Sequence, residues 1–376
     1  MNQKIISVPQ LITLFIINRL VISMTFGSSS INNHNIWDCV ISSLLIFFIT
    51  FILIIPMIML LKNNRNLNNK NNKNNKNLDI KNLDIIDINE QILGKFGKII
   101  SVIYAFYFLL SCTYTLSNFK IFIESVINPP ISFLVLSTSI IIFACYSAAK
   151  GINAIARAGA IILFLTFFLL IMIYISLFKI IDFTNFKPFF YNGYDALKDG
   201  AFFMLSRMSC IPAMGMLLPM CFGNIKKGII IWNFLVFFLM SSMIFLVTGV
   251  LGELSDIKLF PIYTATSAAK ISKFENLDSL YLGLWTAGIF LKLSLFLNLS
   301  SECLRKSFGK KSNKIIIFLL GIILVITNIF TKISNIMSGI FDTRFLFFMT
   351  IFTAFLVPLI LLIIKKISKF KQEPEN

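Results

Sequence analysis

Histidine is nearly absent from this chain. His34, in a short polar stretch, is the only one, so a His-based catalytic triad or a His-ligated metal centre would rest on one residue and neither is expected. The six cysteines (Cys39, Cys112, Cys145, Cys210, Cys221 and Cys303) include no C-x-x-C pair, and most lie in apolar runs. That pattern argues against a disulfide framework and against a zinc site. Charge is scarce too. Only 14% of the 376 residues are charged, where a soluble domain carries roughly 25%. Acids are the scarcer sign, with 17 Asp and Glu against 34 Lys and Arg. The sequence also lacks a His, Asp or Glu cluster of the sort that membrane-embedded transferases place near a bilayer face. No enzyme activity and no cofactor are therefore expected.

Long apolar runs take the place of charge. Mean hydropathy is +0.84 and 57% of residues are hydrophobic, which excludes an ordinary soluble or secreted domain. A bilayer-spanning helix needs about 20 mainly apolar residues. Ten segments qualify, near 5–26, 37–61, 97–123, 131–149, 155–181, 198–221, 228–251, 279–303, 314–331 and 343–364. The predicted class is an all-α membrane protein with ten transmembrane helices. Between spans two and three, residues 62–82 are mostly Asn and Lys. Such a loop buries too little apolar surface to offset its ordering entropy and is expected to be disordered, or else to meet anionic lipids. Residues 83–96 predict a short interfacial helix. The outer segment 252–278 predicts a helix over Ala265–Phe274, acting as a lid or resting on the membrane surface.

Placing the basic residues disposes of nucleic acid as a partner. With the N-terminus in the cytoplasm, 22 of the 34 Lys and Arg fall on the inner side and nine on the outer, the bias that orients membrane proteins. An even number of spans returns the C-terminus to the cytoplasm. Arg19, Arg207 and Lys292 remain inside spans.

Ten spans divide into two five-span units, 1–181 and 182–365, followed by a tail, 366–376. A unit with an odd number of spans begins and ends on opposite sides, so the second is inverted; a 5+5 inverted repeat with broken first helices is a recurring transporter design. Spans one and six are those first helices. Span one carries Asn18 and Arg19 at mid-membrane, then Ser23. Span six carries Ser206, Arg207, Ser209 and Pro212. A mid-span proline removes a backbone hydrogen bond, leaving either an unwound binding segment or a packed kink. A buried arginine costs about 2.5–3.5 kcal/mol on insertion scales. The two arginines therefore either meet an anionic ligand or hydrogen-bond carbonyls freed at the breaks. Tyr104 and Tyr107 share a face of span three with Ser111 and Tyr114, lining a cavity or joining helices. With Lys292 in span eight, the candidate ligand-binding set is Asn18, Arg19, Ser23, Tyr104, Tyr107, Ser206, Arg207, Ser209, Pro212 and Lys292.

Several short motifs stand in an informative order. Ile6-Ser7-Val8-Pro9-Gln10-Leu11 opens span one and Trp37-Asp38 heads span two. Met216-Leu217-Leu218-Pro219 closes span six. Phe260-Pro261-Ile262-Tyr263-Thr264 precedes Leu277-Asp278, Leu284-Trp285 and Phe290-Leu291-Lys292. Over residues 5–365 the chain resembles the spore germination permease family, the B subunit of bacterial spore germinant receptors. That family belongs to the amino acid–polyamine–organocation superfamily and has the leucine-transporter fold. One departure is Asn18-Arg19, where the superfamily has a small, glycine-containing break; Arg19 would crowd a standard amino-acid carboxylate site.

The resemblance implies a nutrient sensor in the spore inner membrane. It would bind a germinant, often an amino acid, in a central cavity. It would act with an A subunit and a lipoprotein C subunit. An active amino-acid or polyamine permease of the same fold is the alternative.

Overall fold

A computed structural model describes residues 6–23, 36–72, 83–127, 132–187, 190, 193–269, 277–309, 312–330 and 343–370. Helix dominates, as the apolar runs require, because a helix satisfies its own backbone hydrogen bonds in lipid. In chain order the helices are α1 (Val8–Ser23), α2 (Cys39–Asn72), α3 (Ile85–Leu93), α4 (Lys95–Phe122), α5 (Phe133–Lys150), α6 (Ile152–Phe178), α7 (Gly193–Ser206), α8 (Cys210–Leu217), α9 (Ile225–Leu251), α10 (Leu254–Ile257), α11 (Pro261–Ser267), α12 (Leu277–Phe308), α13 (Asn313–Phe330), α14 (Thr343–Ile351) and α15 (Val357–Phe370). A π-helical turn, Ile123–Ile127, extends α4, and another, Phe352–Leu356, joins α14 to α15.

Eight helical segments among the described residues are long and apolar enough to cross a membrane: Cys39–Lys62, Lys95–Ile127, Phe133–Lys150, Ile152–Phe178, Gly193–Met220, Ile225–Leu251, Leu277–Phe308 and Arg344–Ile367. The shorter apolar helices Val8–Ser23 and Asn313–Ile329 coincide with the first and ninth predicted runs. One small addition departs from the all-α expectation. Ile6-Ser7, β1, pairs in parallel with Cys221-Phe222, β2, tying the entrance of α1 to the exit of α8.

Three further expectations change. The Asn/Lys loop does not begin at residue 62, because α2 runs on to Asn72; residues 73–82 lie outside the described part. The outer helix is Pro261–Ser267 rather than Ala265–Phe274. Pro261 occupies its first position, where a missing N–H costs nothing, and residues 270–276 lie outside the described part. Span one is helical from Val8 through Asn18 and Arg19 to Ser23. The break expected there is absent from those residues, and residues 24–35 lie outside the described part. The predicted interfacial helix is present as α3. Asp84 caps it by accepting from Ile86 N and Asp87 N, both at 3.0 Å.

The pair α7–α8 packs on α2, with α7 also against α14 and α8 against α1. Helix α12 packs along α4, α5, α6 and α1. Its approach to α1 depends on Gly288, where an added Cβ would lie 2.7 Å from Val21 Cγ2. Gly288→Ala is expected to push the helices apart at a cost of about 1–3 kcal/mol. The melting temperature of the detergent-purified protein checks this, and Val21→Ala is expected to restore it.

Candidate ligand site at the broken helix

Span six is interrupted inside the protein. Helix α7 ends at Ser206 and α8 starts at Cys210, leaving Arg207, Met208 and Ser209 between them. The interruption lies one turn before Pro212 rather than at it. Pro212 is the third residue of α8, so the hydrogen bond it cannot make is the one to the Met208 carbonyl. That carbonyl instead accepts from Ile211 N at 3.1 Å, and Met208 N donates to Leu205 O at 3.0 Å. Every residue from Phe203 to Leu218 is buried. Pro212→Ala supplies the missing donor and permits a continuous helix. It is expected to slow amide hydrogen exchange at residues 207–209 in the detergent-purified protein; unchanged exchange would identify a passive kink.

The last turn of α7 leaves carbonyls without helical partners, and arginines supply them. Arg19 Nη1 donates to Met204 O at 3.2 Å. Arg207 Nη1 donates to Phe203 O at 3.1 Å and to Ser206 Oγ at 2.7 Å. Arg207 Nε donates to the Tyr114 hydroxyl at 2.6 Å, and its guanidinium stacks 3.6 Å from the Phe203 ring centroid. The Thr350 hydroxyl reaches Ser206 O at 2.9 Å. Cations at a helix C-terminus also complement its dipole. Of the two partners the sequence allowed for these arginines, the freed carbonyls are the ones in place.

The wider geometry leaves room for chemistry beyond capping. Asn18 Nδ2 donates to Cys210 Sγ at 3.1 Å and to Ser209 Oγ at 3.4 Å, so α1 and the start of α8 meet side chain to side chain. Asn18 Oδ1 and Arg19 Nε are buried without a hydrogen-bond partner among the described residues. Lys292 is buried, its ammonium 5.9 Å from the Phe296 ring centroid. Arg19, Arg207 and Lys292 lie close enough to act on one another electrostatically, and no carboxylate among the described residues acts on any of them. Two buried guanidinium groups in one core are costly without a counter-charge.

The candidate residues divide accordingly. Asn18, Arg19, Ser206, Arg207, Ser209 and Pro212 converge on the break, with Lys292 in electrostatic reach. Tyr107 bonds Thr350 Oγ1 at 3.0 Å, and Tyr104 donates to Thr353 O. Both therefore join α4 to the last span. Ser23 donates to Leu20 O in its own helix at 2.7 Å. Sequence reasoning left out Tyr114, although it lay on the face already noted, and Thr350, for which the sequence holds no signal.

Two small spaces lie beside the break among the described residues. Arg19, Ser43 and Asn233 share a space of about 10 Å³, room for one water. A second, of about 30 Å³, lies between Ile17, Val21, Trp285 and Gly288. Trp285, which lines that space, also belongs to an aromatic cluster. Phe122 meets Phe260, Tyr263 and Trp285 edge-on at 5.0, 5.0 and 4.8 Å. Trp285 Nε1 donates to Val21 O at 3.2 Å, and the Tyr263 hydroxyl to Asp278 at 3.1 Å. Scattered sequence motifs, Phe260 to Tyr263, Asp278 and Trp285, thus form one structure over the site.

The pattern of spore germination proteins, the spore permeases, matches residues 5–336. The chain belongs to that family. No curated protein sequence matches it. As a spore germination protein with eight spanning-length helices it is an integral membrane protein. The family is permease-like.

Proposed function

We propose that this spore germination protein is the B subunit of a germinant receptor in the spore inner membrane, and that it senses a small nutrient of the amino-acid class. It would pass the signal to an A subunit and a lipoprotein C subunit. The eight long spans with α1 and α13 would make ten, in two inverted five-span halves, 1–181 and 182–365, with a leucine-transporter-like core and both termini cytoplasmic. The pairing of β1 with β2 supports α1 and α7–α8 as corresponding first helices, since it couples them directly.

The observation that carries this reading is the buried break at Arg207–Ser209, set against Asn18-Arg19, with two guanidinium groups and Lys292 in electrostatic reach and no carboxylate acting on them among the described residues. A nutrient carboxylate would supply the missing counter-charge. To reach it, a guanidinium would leave the α7 carbonyls it caps, so binding would uncap α7 and move the hinge. A ligand shifts an equilibrium only through different affinity for its states, so the nutrient would have to favour the uncapped one. No bond is made or broken.

A nutrient screen on spores lacking this gene tests the reading. Selective loss of the response to one nutrient class is expected; unchanged germination with every nutrient would overturn it. The permease alternative draws on the same broken helix, which is transport machinery. Robust uptake into liposomes by this chain alone would replace the receptor reading with that one.

A further inference from the structure

Helices α5 and α13 enclose a membrane-facing groove of about 430 Å³. They touch where Gly321 faces Cys145; an added Cβ would lie 2.5 Å from Sγ, so a larger residue would make the Cys145 side chain shift. The Cys145 thiol also reaches Ile317 O at 3.8 Å. Away from that contact the walls are apolar, with Ile142, Phe318, Ile322 and Ile326 exposed. The polar groups gather at one end: Tyr146 and Lys314 line it, and the Lys150 ammonium lies 5.2 Å from the Tyr146 ring centroid. No acid lines the groove. From Lys314 to Ile326 it runs for about 18 Å at 1.5 Å per residue, comparable with one leaflet of a hydrocarbon core about 30 Å thick.

We propose that this groove binds an anionic glycerophospholipid, with one acyl chain between α5 and α13 and the phosphate between Lys150 and Lys314. Charge complementarity selects the occupant. Lysines near helix ends reach toward the interface, both belong to the set the sequence assigns to the cytoplasmic side, and that leaflet carries the anionic lipid. A packed helix from another subunit would have to bring acids to two exposed lysines.

Native mass spectrometry of the detergent-purified full chain tests this with dioleoylphosphatidylglycerol and dioleoylphosphatidylcholine. The wild type is expected to retain phosphatidylglycerol preferentially. Each of Lys150→Gln and Lys314→Gln, both at exposed positions, is expected to reduce that preference about 5-fold. Ala149→Trp, which fills the headgroup end, is expected to remove the tight site. Equal retention of both lipids by the wild type, or an undiminished preference in the double lysine variant, would overturn the proposal. A photo-crosslinking residue at position 322 in spore membranes is expected to capture lipid; capture of another polypeptide would assign the groove to a partner helix and overturn it as well.

Discussion

Lys306→Met is expected to destabilise the protein by about 3–5 kcal/mol, the cost of stranding one member of a buried ion pair. Lys306 ends the polar side of α12 and binds two carboxylates of the α3 capping box, Asp84 at 2.5 Å and Asp87 at 2.8 Å. Asp84 is buried. Burial pushes its carboxyl up to about 6, against the pull of Lys306 and with a further push from Asp87. The sign follows from linkage. The folded value lies above the unfolded one of about 4, so this group's contribution is full below pH 4 and is lost as pH rises through 6. Melting temperatures between pH 4 and 7 are expected to fall in the wild type and to lose that component in Asp84→Asn. The Lys306→Met defect is expected to shrink in acid, where Asp84 takes up a proton, and to be largely relieved in the Asp84→Asn/Lys306→Met double variant. An ordinary surface pair contributes about 0–1 kcal/mol; a Lys306→Met defect that small would mean that α3 is held to α12 by its apolar face alone.

Arg207→Gln is expected to shift the nutrient concentration for half-maximal germination by at least about 10-fold. Hydrogen bonds to a charged group contribute about 1.5–3 kcal/mol, and 1.4 kcal/mol is a factor of ten. Arg207 makes three such contacts, to Tyr114, Phe203 and Ser206. Glutamine keeps a donor for one carbonyl but loses the charge and the fork. Tyr114→Phe is expected to move the response in the same sense by less, because the guanidinium keeps its contacts to α7. Spore dose–response curves with abundance measured by immunoblot decide the matter. A normal curve at normal abundance would reduce Arg207 to a helix cap.

The hydrophobic pattern carried most of the architecture. The eight spanning-length helices and the two shorter apolar ones follow the predicted runs because burial in lipid depends on run length, which is local. The short helix within residues 83–96 was equally legible, and Asp84 and Asp87 cap its start. Buried Arg19, Arg207 and Lys292 were visible for the same reason, being charges inside apolar stretches. The break in span six was legible from Pro212, but its position was not. A proline disrupts the carbonyl four residues earlier, and where the chain then leaves the helix depends on which neighbours can bond the freed groups.

Those neighbours are matters of packing. Whether Asn18-Arg19 interrupts α1 could not be settled from composition; Arg19 stays helical because Met204 O, far along the chain, accepts its guanidinium. The tyrosine stripe divided unpredictably, with Tyr104 and Tyr107 joined to Thr353 and Thr350 of the last span and Tyr114 to Arg207. The size of the space between the cations likewise has no local signature. The apolar helices and the basic residues inside them thus come from local sequence, through hydrophobicity and residue type. The partner of each buried charge comes from distant segments brought within about 3 Å, a distance that hydrogen bonding demands and sequence spacing does not encode.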